Sequence, residues 1–124
     1  MAEFTQQQLQ AFEQGGIDIQ EARERLAGAD GLFACLLKMF PASADAEPLR
    51  TALAAGNAEA AFAAVHALKG LSGNLSMPKL YKVASLMSDD LRQYTSEGLE
   101  VARTRMPQLE EALAQALEAV ATLQ

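Results

Sequence analysis

A chain of 124 residues has room for one domain, burying roughly two-thirds of the surface that its unfolded form exposes. Half of the residues are apolar, and eight glycines with four prolines are too few for a fibrous or disordered class. A net charge of −6 argues against a nucleic-acid partner, because phosphate backbones demand a basic surface.

Cys35 is the single cysteine, so no internal disulfide can form and a reducing cytoplasm is the expected location. The start, Met1-Ala2-Glu3-Phe4, lacks a basic segment followed by an apolar run, and no stretch approaches the ~20 apolar residues of a membrane span. Neither export nor membrane insertion is therefore expected. The charge is unevenly spread. Residues 50 to 92 hold Arg50, Lys69, Lys79, Lys82 and Arg92 against Glu59, Asp89 and Asp90, five basic against three acidic side chains, a net of +2 that leaves −8 on the remainder. The only histidine, His66, lies in this basic middle.

Helix signals run through the chain and no alternating β-branched run suggests a strand. Thr5 and Gln8 fit a capping box, with Phe4 placed to staple against Leu9, and this first helix is expected to stop at Gly15-Gly16. Asp18 and Glu21 repeat the pattern ahead of a helix reaching about Ala27 and ending at Gly28. Asp30 is expected to cap a third helix carrying Leu32, Phe33, Leu36, Leu37 and Phe40 as its apolar stripe, with Pro41 ending or bending it. A short helix near 47 to 55 begins with Pro48 in its first turn and terminates at Gly56.

Asn57 caps the segment from about 58 to 75, which contains His66. Ser76 is expected to cap the next helix, whose inner face is Leu80, Val83, Ala84, Met87 and Leu91. Gly98 separates this helix from the last, over 99 to 123, where Leu99, Ala102, Met106, Leu109, Leu113, Leu117 and Val120 form one stripe. Pro107 removes a hydrogen bond to Arg103 and is expected to kink that helix or mark its true start. Met39, Met77, Met87 and Met106 read as core filler, and Lys79 and Lys82 as solvated charges.

No low-complexity linker or repeat divides the chain. The fold class is all-α: an up-and-down antiparallel four-helix bundle with additional short N-terminal helices. Residues 1–16 are assigned to an N-terminal extension with a short helix, and 17–124 to the bundle.

The His66 helix has two faces at about 100° per residue. Ala61, Ala64, Leu68, Leu71 and Leu75 share the core side, and His66 falls opposite, among Glu59, Phe62, Lys69, Gly70 and Gly73. A glycine inside a helix costs about 0.5 to 1 kcal/mol relative to alanine, so two on one face call for a compensating use. Access is one: another protein can approach the imidazole over Gly70 and Gly73. Lys69, at i+3, is within reach of an anion on the ring. Phe62 adds apolar area for a partner. A neutral imidazole has a ring nitrogen with a free lone pair for attack on phosphorus. No second histidine or fixed carboxylate accompanies it, so little independent catalysis is expected, and one His with one Cys gives no basis for a metal site.

The run Val65-His66-Ala67-Leu68-Lys69-Gly70-Leu71-Ser72-Gly73-Asn74-Leu75 resembles the signature of histidine-containing phosphotransfer domains. Gly16-Ile17-Asp18, the Leu36-Leu37 to Phe40 segment and Ala55-Gly56-Asn57 extend the likeness, which covers about residues 17 to 124. The resemblance implies that His66 is phosphorylated, with Lys69 supporting by charge and Gly70 by clearance, and that Phe62, Gly73 and Asn74 face a partner. It implies a shuttle that takes a phosphoryl group from a receiver-domain aspartate and hands it to another receiver, upstream of which stands a sensor or hybrid histidine kinase. No cofactor is expected in this chain, since Mg²⁺ belongs to the receiver. Ser76 departs from the glycine common at its place, and Met87-Ser88-Asp89-Asp90 from the Leu-Glu often seen there.

A lone helical histidine is by default an ordinary surface residue; the flanking Leu-Lys-Gly and paired glycines reverse that reading. The alternatives are a bundle-fold interaction module never phosphorylated, and a scaffold associating through the long C-terminal stripe. Light scattering over a concentration series separates the last of these: a monomer is expected, whereas an oligomer growing with concentration would favour the scaffold.

Overall fold

Most of the helices begin where a side chain can satisfy an orphan amide of the first turn, or where a proline makes one unnecessary. The computed structural model describes residues 4–123; residues 1–3 and 124, within the segments 1–16 and 17–124, lie outside the described residues. Seven α-helices and no strand are found among the described residues: α1 Gln6–Gln14, α2 Ile19–Arg25, α3 Asp30–Ser43, α4 Glu47–Ala55, α5 Ala58–Asn74, α6 Pro78–Leu91 and α7 Ser96–Ala121. Among these residues no single helix is long and apolar enough to cross a membrane.

The first helix carries the expected capping box, Thr5 Oγ1 accepting from Gln8 N and Gln8 Oε1 from Thr5 N. Phe4 sets its ring edge-on to Phe12 and Phe33, at 4.9 and 6.4 Å. Phe12 is fully buried and α1 packs along α7, so this helix contributes to the core. Asp18 caps α2 by accepting from Glu21 N, and Asn57 caps α5 by accepting from Ala60 N.

Several local expectations are corrected. Asp30 does not cap α3; its buried carboxylate accepts two hydrogen bonds from Arg23, at 3.0 and 2.9 Å, and the N-cap is Ala29. The paired charge is worth more in this buried position than a bond to one amide. Pro41 lies inside α3, which continues to Ser43, and Pro107 does not mark the start of the last helix, since it lies inside α7, Ser96–Ala121. Leu32 is 50% exposed, leaving Phe33, Leu37 and Phe40 as the buried stripe of α3.

The turns flanking α6 account for the others. Ser76 does not cap α6, whose N-cap is Met77; it takes φ +55, its carbonyl accepts from Asp18 N at 2.7 Å and its hydroxyl from Arg25. Glycine would adopt that backbone without strain, in keeping with the glycine that the resemblance implies there. Gly98 does not precede α7 but lies in its first turn, donating to the Thr95 cap. A Cβ there would stand 2.0 Å from the Asp90 carbonyl oxygen, so only glycine lets α7 start this close to the end of α6.

The longest helices pack in chain order. The α5–α6 contact is the most extensive, followed by α6–α7 and α4–α5, while α1 and α3 lie against α7. Leu80, Val83, Ala84, Met87 and Leu91 are buried as expected, as is the α7 stripe apart from half-buried Leu117. Met77, Met87 and Met106 are core residues, but Met39 is 64% exposed.

Arg23 holds the Asp30 carboxyl below the usual carboxylate range, chiefly through its hydrogen bonds and against the opposing effect of burial. A lowered folded-state value means the pair stabilises the fold above the unfolded-state value and ceases to do so as pH falls through the folded one. Asp30→Asn is expected to cost about 1 kcal/mol at pH 7, discounted for the exposed Arg23 partner. In urea titrations its deficit against wild type should shrink below about pH 4, and a deficit independent of pH would refute the assignment.

Candidate functional site

The 17-residue α5 is sandwiched between α4 and α6, and its buried residues are Ala58, Ala61, Val65, Leu68 and Ser72. The core seam therefore leans toward Val65 and Ser72, while Ala64 and Leu71, expected there, are only half-buried. Burying Ser72 is possible because its hydroxyl donates to the carbonyls of Leu68 or Lys69, at 2.8 and 3.0 Å. His66 is exposed on the far side of this seam.

Phe62, one turn before His66, stacks on the imidazole with centroids 5.5 Å apart and planes 18° from parallel. Two residues from beyond α6 meet the other parts of the Phe62 ring. Tyr94 presents its edge at 6.1 Å and 71°, and the Arg92 guanidinium carbon lies 5.9 Å from the ring centroid. Arg92 is also paired with Asp89 at 3.0 Å. Tyr94 holds φ +57, a left-handed conformation that costs a residue with a Cβ about 1 kcal/mol and persists where surroundings impose it.

Lys69 is half-buried one turn beyond His66, and among the described residues nothing accepts a hydrogen bond from its ammonium. Gly70 is exposed, with no neighbouring atom within 4 Å of where a Cβ would project. Gly73 differs. A Cβ there would lie 3.1 Å from the Tyr81 ring, so the space above it is filled by α6, and its carbonyl accepts from Arg25 at 2.9 Å. Asn74 closes α5 and is exposed. The structure thus gathers Phe62, His66, Lys69 and Gly70 on one open face, with Gly73 and Asn74 at the end where Tyr81 packs.

Arg92, Tyr94 and Tyr81 join this neighbourhood without having been singled out in the sequence. The i, i+4 spacing of Phe62 and His66 was readable; the reach of Tyr94 depends on a positive φ in a turn, for which a tyrosine gives no signal. The basic middle is also narrower than its count. Glu110 and Glu47 pair with Arg50, at 3.4 and 2.8 Å, and hold its guanidinium above the ordinary range. Asp89 pairs with Arg92, and Lys79 donates to Gln115 at 3.1 Å.

A groove of 540 Å³ runs between α6 and α7, lined by Lys79, Lys82 and Arg105 among others, and His66 does not border it. The imidazole is exposed on the helix surface, an arrangement suited to a macromolecular partner more than to a small substrate. The sequence profile of a family described as Hpt domain matches residues 3–122, nearly the whole chain, α1 included. No curated protein and no solved structure matches.

The two helix glycines should respond oppositely to alanine. Gly70→Ala, facing open space, is expected to stabilise the free protein by about 0.5 to 1 kcal/mol. Gly73→Ala must displace the Tyr81 ring and is expected to forfeit that gain or to destabilise. Thermal unfolding of both variants checks the pair, and an equal gain at both positions would contradict the packing described.

Proposed function

The chain belongs to the Hpt domain family, a family of phosphotransfer domains, and on that premise we propose that it is a phosphorelay intermediate carrying its phosphoryl group on His66. The group arrives from an aspartyl phosphate of a receiver domain. A lone pair on the neutral imidazole attacks phosphorus, the N–P bond forms, the acyl O–P bond breaks, and the aspartate carboxylate leaves with the bonding electrons. Donation to a second receiver is the reverse step with a new carboxylate as nucleophile. A sensor or hybrid histidine kinase stands upstream.

One observation carries this reading: the exposed imidazole of His66 lies on a face where Gly70 leaves open space and Lys69 has an uncommitted ammonium. Lys69 steadies the charge of the phosphoryl oxygens by a charge-assisted hydrogen bond. Gly70 admits the partner's backbone, and Phe62 and Asn74 border the contact. The receiver contributes the Mg²⁺ and the acidic pocket, so this chain acts as a carrier without independent catalysis or a cofactor of its own, as a cytoplasmic monomer.

The scaffold behind the site is proposed to be an up-and-down antiparallel bundle of α4 to α7, with α1 to α3 against it. Support comes from links of two, three and four residues between successive helices. It also comes from the α5–α6 pairing: Gly73, late in α5, meets Tyr81, early in α6, while Phe62, early in α5, meets Arg92 just past the end of α6. Gly73 then serves the partner face indirectly, by letting Tyr81 close the end of that pairing.

Intact-protein mass after incubation with a receiver charged by acetyl phosphate, or with phosphoramidate, tests the function. Wild type should gain one acid-labile phosphoryl group and His66→Gln none. Absence of any gain from both donors in a folded wild-type protein would favour the non-phosphorylated interaction module instead.

A further inference from the structure

An exposed helical histidine has two accessible χ1 wells, the third being blocked by the preceding turn, and a broad χ2. Such a ring presents its nitrogens along any one line of approach only part of the time. In this chain the ring is stacked on Phe62. Phe62 is contacted in turn by Tyr94, in an edge-to-face arrangement, and by the guanidinium of Arg92. The brace is drawn from separate elements, since Arg92 and Tyr94 sit in the turn between α6 and α7. Tyr94 adopts its left-handed backbone in that same turn.

We propose that Phe62 is a positioning residue for His66, braced by Arg92 and Tyr94, which sets the imidazole plane before the phosphoryl donor arrives. The inference rests on the phosphotransfer reading above. Stacking engages the π face of the imidazole, whereas its nitrogen lone pair lies in the ring plane, so the contact orients the nucleophile without covering it. An aromatic pair of this kind biases a rotamer population by a factor of about 2 to 10. Orientation gained before the encounter enters the rate of transfer directly. A surface aromatic that only docks a partner would act on affinity, and the two roles are therefore separable.

Wild type, Phe62→Leu and Phe62→Tyr are compared in rapid-quench transfer from a receiver domain charged with acetyl phosphate, over a range of receiver concentrations. Phe62→Leu keeps apolar bulk and loses the ring, so its limiting rate at saturating receiver should fall by about 2- to 10-fold, whatever change the half-saturating concentration shows at this partner-facing residue. Phe62→Tyr should restore the rate, and Arg92→Gln should lose part of it. In the free protein, χ1 couplings of His66 should show more rotamer averaging in Phe62→Leu than in wild type or Phe62→Tyr. An unchanged limiting rate in Phe62→Leu, a loss confined to the half-saturating concentration, or unaltered His66 couplings would overturn the positioning role alone. Failure of wild type to take up a phosphoryl group would instead remove the phosphotransfer reading, and the positioning role with it.

Discussion

Tyr81 of α6 lies against bare backbone at Gly73 of α5, 3.1 Å from where a Cβ would project, and this contact fixes how closely the two helices approach near their shared turn. The turn itself is held by Ser76 in a left-handed conformation, with its carbonyl bonded to Asp18 and its hydroxyl to Arg25. At the opposite end Gly98 lets α7 begin against the Asp90 carbonyl. Both ends of α6 thus sit beside glycines: a Cβ at Gly98 would collide with backbone, and one at Gly73 would press on the Tyr81 ring. Because α6 runs alongside α5 between those ends, its last turn delivers Arg92 and Tyr94 to the Phe62 ring and so to His66.

Much of this is written in periodicity. The stripes of α6 and α7 were legible because each helix has one dominant buried side, and Leu80 to Leu91 and Leu99 to Val120 repeat at helical spacing. Caps were legible where the sequence offers an unopposed acceptor, as at Thr5, Asp18 and Asn57. They misled where a distant group competed for the acceptor. Asp30 prefers the guanidinium of Arg23 to the amides of its own helix, and Ser76 is consumed by the corner between α2 and α5. Neither partner can be seen from spacing along one helix.

The site shows the same division. His66, Phe62, Lys69 and Gly70 share one face because they share one helix, and helical geometry alone assembles them. Gly73 was harder to read, since a glycine on a helix face leaves either an opening to solvent or a seat for a neighbouring ring, and only the placement of Tyr81 decides which. The charge balance was misleading for a related reason. Glu110, distant in sequence, folds back onto Arg50, while Arg105 from α7 pairs with Asp90, so a count along the chain does not give the field of the folded segment.

What remains near His66 is one lysine, the Asp89-paired Arg92, an aromatic stack and open space, a sparse set for a functional site. Phosphoryl transfer asks little covalent help from its surroundings and much in alignment and charge. On the proposed relay, a domain serving two partners in turn gains nothing by enclosing its histidine, because each receiver would reach the same nitrogen from outside. The bulk of the electrostatic work would then belong to the partner, and the contribution left to this chain would be a nucleophile of defined orientation on an exposed helix face. The buried seam of α5, through Val65, Leu68 and Ser72, fixes that face to the core, and the aromatic brace from the α6–α7 turn meets the ring upon it. Rigidity behind the histidine comes from the packing of α5 on α6, and openness in front of it from the empty space at Gly70.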